Sequence, residues 1–372
     1  MPQNPLLDIS PPHCRERQAR LLQAMQEKRL DLVILTRIEH VQWLCGPRFN
    51  WHHEPAAAIF ADGHTLLVAP NKPPPVAAAD EILVYEANST STLRNDQREK
   101  SSTVLVQAIR SRPAAQRVGI EYSCCSRHMM GHLQAIYVDV EPTLYHLRRI
   151  KHADELARLK HAIAATGAMY LRAREIVHPG VNELEVFNEL QAAAVRACGE
   201  MLTGTGNDYA SGQHGGPPRD RAIQAGELYI LDLGPAYRGY FADNARVIAV
   251  GGSPTTRQTA AWQTVADVFP LIESAVKPGV RAREIYRRAQ HHIAQFPGGV
   301  WRSHLGHGIG LFPHEAPHLN PNWDDTFQAG EVIAVEPAVY ADEELRQGIR
   351  LENNYLVTEQ GVELLSDFPL GL

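Results

Sequence analysis

Long apolar runs and paired cysteines are both missing from this sequence. No stretch of about 18 consecutive apolar residues occurs, the length that a membrane-spanning helix needs, and the start of the chain has no apolar stretch typical of a signal peptide. The five cysteines are odd in number and form no C-x-x-C pair. These features argue against a membrane span and a disulfide framework, and they predict reduced thiols in a cytoplasmic protein.

An excess of basic residues is also missing. Lys and Arg number 36 against 42 Asp and Glu, which gives a formal net charge of -6, and no basic block or low-complexity segment interrupts the chain. Proteins whose main partner is nucleic acid usually carry a basic face. We therefore expect neither a nucleic-acid partner nor a membrane partner.

What the sequence does contain indicates two domains. From Glu155 onward apolar residues keep a helical spacing, so a long helix opens a second domain near residue 150. We predict an α+β protein, with a mixed α/β domain at 1–148 and a second domain at 149–372. In the first domain we expect strands at 30–36, 56–60, 65–69, 81–86 and 117–121, with helices at 14–30, 99–112 and 126–136.

The second domain contains an internal duplication. "VHPGVNELEVF" at 177–187 matches "VKPGVRAREIY" at 276–286, and in both a Pro-Gly turn precedes an amphipathic helix. "AGELYILDLG" at 225–234 and "AGEVIAVEPA" at 329–338 form a second matched pair. Each half is thus a helix followed by a strand pair that carries carboxylates. Two similar halves that face each other are a natural way to build one central site.

The first strand pair of the duplication places two acids in apolar surroundings. If its hairpin is centred between Tyr237 and Arg238, Asp232 lies directly across from Asp243. Like charges at opposite positions of an antiparallel pair are destabilising. Two buried carboxylates in this arrangement need a proton or a cation between them.

The second strand pair repeats the arrangement. A turn centred at Glu344 places Glu336 opposite Glu352. Four acids then converge from two related hairpins, which is unusual because Asp and Glu normally face solvent. A site for two metal ions that share bridging carboxylates accounts for this pattern.

A nitrogen ligand is expected from the histidine-rich stretch "SHLGHGIGLFPHEAPH" at 303–318. His307 stands out because glycines on both sides permit close approach of the backbone to a ligand. His304, His314 and His318 are nearby, and spacing alone leaves open which of them bind. Oxygen-rich ligands with one imidazole suit Mn²⁺, Co²⁺ or Fe²⁺, and Zn²⁺ remains possible.

Taken together, these motifs resemble the metallopeptidases with the pita-bread fold, a group that includes prolidases, Xaa-Pro aminopeptidases, methionine aminopeptidases and creatinases. "LDLGPAYRGYFAD", "GHGIGLFPHE", "AVEPAVY" and "GIRLENNYLVTE" occur in the order and spacing of that family. The part that contains "VQWLCG" looks like the N-terminal domain of creatinases and prolidases. The resemblance implies a duplicated, curved antiparallel sheet in the second domain, with helices on its outer face.

The resemblance also implies roles for particular residues. The positions that match the five metal ligands of the family are Asp232, Asp243, His307, Glu336 and Glu352, of which Asp243 and Glu352 would bridge two ions. The positions that match residues acting on substrate are His314, which steadies the tetrahedral intermediate, His214, which binds substrate, and Tyr340 and Arg350, which lie around the proline site. Glu336 has a further implied role as a proton carrier.

The activity implied is that of an Xaa-Pro dipeptidase, which hydrolyses the bond before proline in dipeptides with a metal-bridging hydroxide and two divalent ions per chain, most often Mn²⁺. An Xaa-Pro aminopeptidase that acts on longer peptides is the alternative. A non-catalytic binding protein on the same fold is the alternative from another class, and complete retention of the ligands argues against it.

Prolidases of this kind are homodimers, and the resemblance implies the same here. The segment "GPRFNWHHEP" at 46–55 is rich in aromatic and imidazole groups, including Trp51, His52 and His53. We expect it to close the active site of the partner subunit, although packing against the chain's own second domain would also explain its composition.

Overall fold

The computed structural model describes residues 5–50, 52–206, 208–301, 304–340, 345 and 347–371. The chain divides into two compact units, Met1–Arg148 and Arg149–Leu372. Both mix helices with sheets, as the predicted α+β class requires. Among the described residues, no helix has the length and apolar character needed to cross a bilayer.

The first unit is built on a six-stranded mixed sheet in the order β4-β3-β2-β1-β7-β8. The pairs β1-β2 and β2-β3 are antiparallel, and the pairs β1-β7, β3-β4 and β7-β8 are parallel. The elements of this unit are α1 Pro11–Lys28, β1 Leu32–Leu35, α2 Ile38–Cys45, β2 Ala56–Phe60, β3 Thr65–Pro70, β4 Glu81–Tyr85, β5 Asn88–Ser89, β6 Thr92–Leu93, α3 Gln97–Arg110, β7 Arg117–Ile120, α4 Arg127–Met130, β8 Ile136–Asp139 and α5 Glu141–Leu147, after a 3-10 turn at Pro5–Leu7.

The five strands expected in this unit are all present, and so are the helices expected at 14–30 and 99–112. The helix expected at 126–136 is wrong. A helix of one turn, α4, ends at Met130, and the edge strand β8 begins at Ile136. Ile136 is 61% exposed, and the other residues of this edge strand are partly buried. The alternation of buried apolar and exposed polar residues by which a strand is identified in a sequence is therefore missing here.

The segment at 46–55 is held within its own unit where it is described. The Gln97 side chain donates to the His52 carbonyl at 3.0 Å, and the Glu54 amide donates to the Tyr85 hydroxyl at 2.9 Å. The rings of His52 and His53 meet edge to face with centroids 4.3 Å apart. Trp51 lies outside the described residues.

The second unit has two halves of similar design. Its elements are α6 Ala153–Ile176, α7 Glu183–Cys198, β9 Leu228–Leu233, β10 Ala236–Tyr237, β11 Tyr240–Phe241, β12 Asn244–Ala249, α8 Thr256–Ala266, α9 Val268–Ala275, α10 Ala282–Ile293, β13 Gly306–Gly308, β14 Glu315–Leu319, β15 Val332–Val335, β16 Ala338–Val339, β17 Ile349–Arg350, β18 Asn353–Val357 and β19 Val362–Leu364.

The matched sequence segments occupy matched positions. In each half a Pro-Gly turn leads into a helix, α7 in one case and α10 in the other. The residue before each helix forms an isolated antiparallel bridge, Asn182 with Ala222 and Arg281 with Thr326. The duplication seen in the sequence is therefore a duplication of structure.

Each half of the second unit has its own helices packed on its strands. Met169 of α6 and Leu190 of α7 belong to a buried cluster with Leu231 of β9. Ile285 of α10 belongs to another cluster with Val335 of β15. Burial of these apolar side chains supplies the main favourable contribution to folding. It also fixes the helices over β9 and β15, the strands at whose ends the acids lie.

Candidate metal centre

The first hairpin turns at Arg238 and Gly239, whose φ angles are 48° and 89°. Two successive positive φ angles are typical of a tight two-residue hairpin turn. Its centre therefore falls one position later than expected, and Asp232 pairs with Ala245. The expectation that Asp232 lies directly opposite Asp243 is wrong. Because the mismatch is two residues, Asp243 remains on the same face as a diagonal neighbour of Asp232.

The second hairpin has the expected register. β15 and β18 pair Val335 with Asn353, and the pairing of β16 with β17 continues the same register beyond them. Glu336 and Glu352 stand between these two pairings, opposite each other. The predicted centre of the turn, Glu344, lies outside the described residues.

Main-chain and side-chain hydrogen bonds join the two hairpins. The Glu352 amide donates to the Ala245 carbonyl at 3.0 Å, and Arg246 donates to the Glu352 carbonyl at 2.6 Å. The Asn354 side chain donates to the Asp243 carbonyl at 2.7 Å. The acids of one half are thereby fixed against the acids of the other half.

His307 lies at the centre of β13, which pairs with β14 on one side and with β15 on the other. A Cβ atom on Gly306 would lie 2.0 Å from the Ala334 carbonyl oxygen, and one on Gly308 would lie 2.1 Å from that of Ala316. Real Cβ atoms do not approach backbone so closely. Both glycines are therefore required for the strands on either side to bring His307 to the acids.

The five residues that resemble metal ligands converge. Ligand atoms within 4.8 Å of one another form three overlapping groups, which are Asp232 with Asp243 and Glu352, His307 with Glu336 and Glu352, and Asp243 with His307 and His314.

Several ligand atoms in these groups are buried without partners. Asp232 Oδ1, His307 Nε2 and both carboxylate oxygens of Glu352 have no hydrogen-bond partner among the described residues. Unpaired polar atoms in a protein interior are costly. Their convergence on one point fits the binding of divalent cations by oxygen and imidazole ligands.

The electrostatics of the acids support the same interpretation. Burial raises the pKa of Asp232 to about 6, and burial together with the neighbouring Asp232 raises the pKa of Asp243 well above its usual value. Burial and Asp243 likewise raise the pKa of Glu352. Burial acts in the same direction on Glu336, but the neighbouring imidazoles of His307 and His304 bring the pKa of Glu336 below its usual value. Without cations, Asp243 and Glu352 would hold protons at a higher pH than ordinary carboxyl groups do.

His314 lies against the proposed nitrogen ligand. Its ring stacks on that of His307, with centroids 3.7 Å apart. Desolvation of the ring and the nearby His307 lower the pKa of His314 to about 4, so the imidazole is neutral near pH 7. As a neutral ring it retains one N–H donor.

The two remaining histidines of the 303–318 stretch have different environments. His304 Nε2 lies 3.1 Å from Glu336 Oε1, so His304 contacts the candidate proton carrier. His318 pairs with Asp325 at 2.9 Å and stacks on Trp323. Among the expected candidates, His318 is thus engaged outside the group of acids.

Arg350, Tyr340 and His214 lie together beside Asp232. Arg350 donates to Asp232 Oδ2 at 2.8 Å and to the His214 carbonyl at 3.2 Å, and the rings of His214 and Tyr340 are 4.5 Å apart. Arg350 also donates to Asp208. Sequence reasoning missed Asp208. The signal available was a carboxylate in the glycine-rich stretch that leads to His214.

A buried set of carboxylates around one imidazole, with ligand atoms that have no partner among the described residues, is suited to divalent metal ions, and it is set in a duplicated fold covered by helices. The family model described as Metallopeptidase family M24 matches residues 157–359, and the Creatinase/Prolidase N-terminal domain model matches residues 17–150. The chain therefore belongs to metallopeptidase family M24, whose members use divalent metals.

Known proteins similar to the chain agree with this membership. An uncharacterized peptidase of Bacillus subtilis strain 168, YqhT, is 29% identical over 267 residues, which cover 69% of this chain and 74% of the relative. An Xaa-Pro dipeptidase from Bacillus anthracis has a TM-score of 0.80 at 23% identity and covers 96% of this chain and 100% of its own. An X-Pro aminopeptidase from Thermotoga maritima MSB8 has a TM-score of 0.79 at 20% identity, with 95% and 98% covered. These structures show that the chain has the pita-bread fold, as expected.

Proposed function

We propose that this protein is an Xaa-Pro dipeptidase, which hydrolyses the bond before proline with two divalent metal ions bound by residues of the 149–372 domain. Asp232, Asp243, His307, Glu336 and Glu352 would hold the ions. Mn²⁺ fits this ligand set well, since all five residues offer oxygen or imidazole donors and none offers a thiolate.

The observation that carries the proposal is the convergence of unpaired ligand atoms. In the part of the chain that the structure describes, Asp232 Oδ1, His307 Nε2 and both oxygens of Glu352 are buried close together without hydrogen-bond partners. A protein that merely tolerated acids in this place would pair them with donors or protonate them. Bound ions satisfy all these atoms, and they would acidify a water molecule and polarise a carbonyl group.

The side chains around the acids have the chemistry that peptide hydrolysis needs. Neutral His314 offers an N–H group to the oxygen of the attacked carbonyl, where negative charge develops. Glu336 contacts His304 and His307 and is suited to carry a proton toward the leaving nitrogen. His214 and Tyr340 form an aromatic surface beside Arg350 on which a proline ring would pack.

Preference for proline is supported by the similar structures, one of which is an Xaa-Pro dipeptidase. The bond before proline is a tertiary amide without an N–H group. Peptidases that rely on that donor handle it poorly, so a site that recognises the ring itself is needed.

An Xaa-Pro aminopeptidase is the second candidate, and one observation favours it. An arginine beside the proline site is suited to bind the free carboxylate of a dipeptide, yet the guanidinium of Arg350 already contacts Asp208 and Asp232. A guanidinium shared by two carboxylates attracts a third only weakly. An enzyme for longer peptides has no such carboxylate to bind.

Product analysis on Ala-Pro and Ala-Pro-Ala, with Mn²⁺ supplied, separates these functions. The dipeptidase releases proline from Ala-Pro and leaves Ala-Pro-Ala largely intact. Release of alanine from Ala-Pro-Ala at an equal or higher rate identifies an aminopeptidase. Failure to cleave either peptide, together with no bound metal, would refute both enzymes. Chelated protein provides the matched control in each assay.

A further inference from the structure

Asp208 lies beside the strand that carries Asp232. The two residues form an isolated antiparallel bridge, in which each amide donates to the carbonyl of the other at 3.2 Å. One carboxylate oxygen of Asp208 accepts from the Gly216 amide at 2.6 Å, and the other accepts from Arg350. The side chain of Asp208 is 18% exposed, so water screens these contacts little.

Arg350 connects this carboxylate to the site. The same guanidinium nitrogen that contacts Asp208 donates to Asp232 Oδ2 at 2.8 Å. Asp232 Oδ1 is buried and has no partner in the described part of the chain. The guanidinium thus occupies one oxygen of Asp232, and Oδ1 is the oxygen that remains to bind a cation.

From this geometry we infer that Asp208 is a positioning residue. It holds Arg350 so that Asp232 presents Oδ1 to a metal ion, and its negative charge offsets the positive charge that Arg350 brings close to the cation site. An arginine side chain has several rotatable bonds, and a carboxylate on each side restricts it far more than one would. The inference rests on the proposed metal site.

The backbone around Asp208 is shaped to hold its carboxylate. A Cβ atom on Gly215 would lie 2.4 Å from Asp208 Oδ2. The neighbouring His214 carbonyl accepts from Arg350 at 3.2 Å. Hence the loop that carries His214 and the carboxylate of Asp232 are held by one set of contacts, centred on Arg350 and Asp208.

Titration of chelated full-length protein with Mn²⁺ in a calorimeter tests this role. In Asp208→Asn the amide NH2 must face either Arg350 or the Gly216 N–H, so one of the two contacts is lost, and the charge that offsets Arg350 is lost in either orientation. Partners of metal ligands typically affect metal affinity by about 10–100-fold. We expect one of the two ions, the one held by Asp232, to weaken by this factor while the other keeps its affinity. Asp220→Asn is the control, because exposed Asp220 contacts only Asn182 among the described side chains.

A second variant distinguishes the effect of the position of the Asp208 carboxylate from the effect of its charge. Gly215→Ala keeps the carboxylate but displaces it, and it should weaken the same ion. Thermal unfolding in excess chelator shows whether each variant is folded before titration. Two ions bound by Asp208→Asn with wild-type affinities, or both ions weakened equally, would overturn the inference alone. Wild-type protein that binds no Mn²⁺ would overturn the proposed function and this inference with it.

Discussion

The imidazole rings of His307 and His314 are stacked, with centroids 3.7 Å apart and an angle of 13° between their planes. His307 is buried on a central strand, whereas His314 is exposed and precedes the edge strand β14. This pairing gives the two histidines different tasks in our proposal. His307 supplies a ligand atom from inside the sheet, and His314 faces the space that substrate would enter.

His314→Ala should therefore bind metal normally and lose rate. A donor to the developing oxyanion acts mainly in the transition state, so its removal lowers kcat by roughly 10²–10³-fold. Metal content by mass spectrometry and steady-state kinetics on Ala-Pro are the measurements. His291→Ala, at an exposed position of α10, is the control. Loss of an ion from His314→Ala would instead identify His314 as a ligand.

Asp243→Asn and Glu352→Gln should each lose bound metal and activity, because each change removes a charge shared between the two proposed ions. The measurements are metal content after dialysis and turnover with added Mn²⁺. Asp220→Asn and Glu359→Gln remove exposed acids and should bind two ions like the wild type. The ligand assignment is wrong if either buried variant keeps both ions and near-normal turnover.

The register of the second hairpin was predictable from sequence, because a polar run between two matched apolar strands marks its centre. The register of the first was not, since it depends on positive φ angles at Arg238 and Gly239. Asp208 escaped notice because its partner, Arg350, is distant in sequence and meets it only in the folded chain. Local patterns thus identify the candidate ligands, whereas the contacts that orient them are tertiary.

Stability of the chelated protein should fall as the pH rises from about 4 to above 6. The folded-state pKa of Asp232 is raised to about 6, and the pKa values of Asp243 and Glu352 are raised too. Between the unfolded and folded pKa values the native state binds more protons, so deprotonation destabilises it. The measurement is the difference in Tm between Mn²⁺-loaded and chelated protein.

This difference should widen with rising pH, and Glu352→Gln should reduce it. A constant gap across this range would contradict the raised pKa values. Comparison of loaded and chelated samples at each pH cancels the contribution of groups outside the site.

Gly308→Ala should destabilise the second unit by about 1–3 kcal/mol, the usual cost of overpacking. The added Cβ would lie 2.1 Å from the Ala316 carbonyl oxygen, so β13 and β14 must separate. Because His307 is the adjacent residue, metal affinity should fall as well. Gly252→Ala is the control, since a Cβ there meets nothing within 4 Å. Chemical denaturation of both variants measures the difference.

If the protein is a homodimer in which the segment at 46–55 caps the partner's active site, removal of the His52 and His53 imidazoles should change its preference for peptide length. His52→Ala/His53→Ala keeps the main-chain bonds to Gln97 and Tyr85, so the segment should stay folded. Activity on Ala-Pro-Ala should rise relative to Ala-Pro, with metal content unchanged. A monomer by light scattering, or an unaltered ratio of activities, would exclude this arrangement.

The bonds that join the two hairpins also determine when metal can act during folding. Asp232 and Glu352 are far apart in the chain and are brought together through contacts such as that of the Glu352 amide with Ala245. An unfolded chain would have to close a long loop before these acids could share an ion. If the halves join only after the folding transition state, ions that bind to the joined halves would stabilise an arrangement absent from that transition state. Such interactions slow unfolding and leave the folding rate nearly unchanged, so bound metal would act on this protein as a kinetic lock.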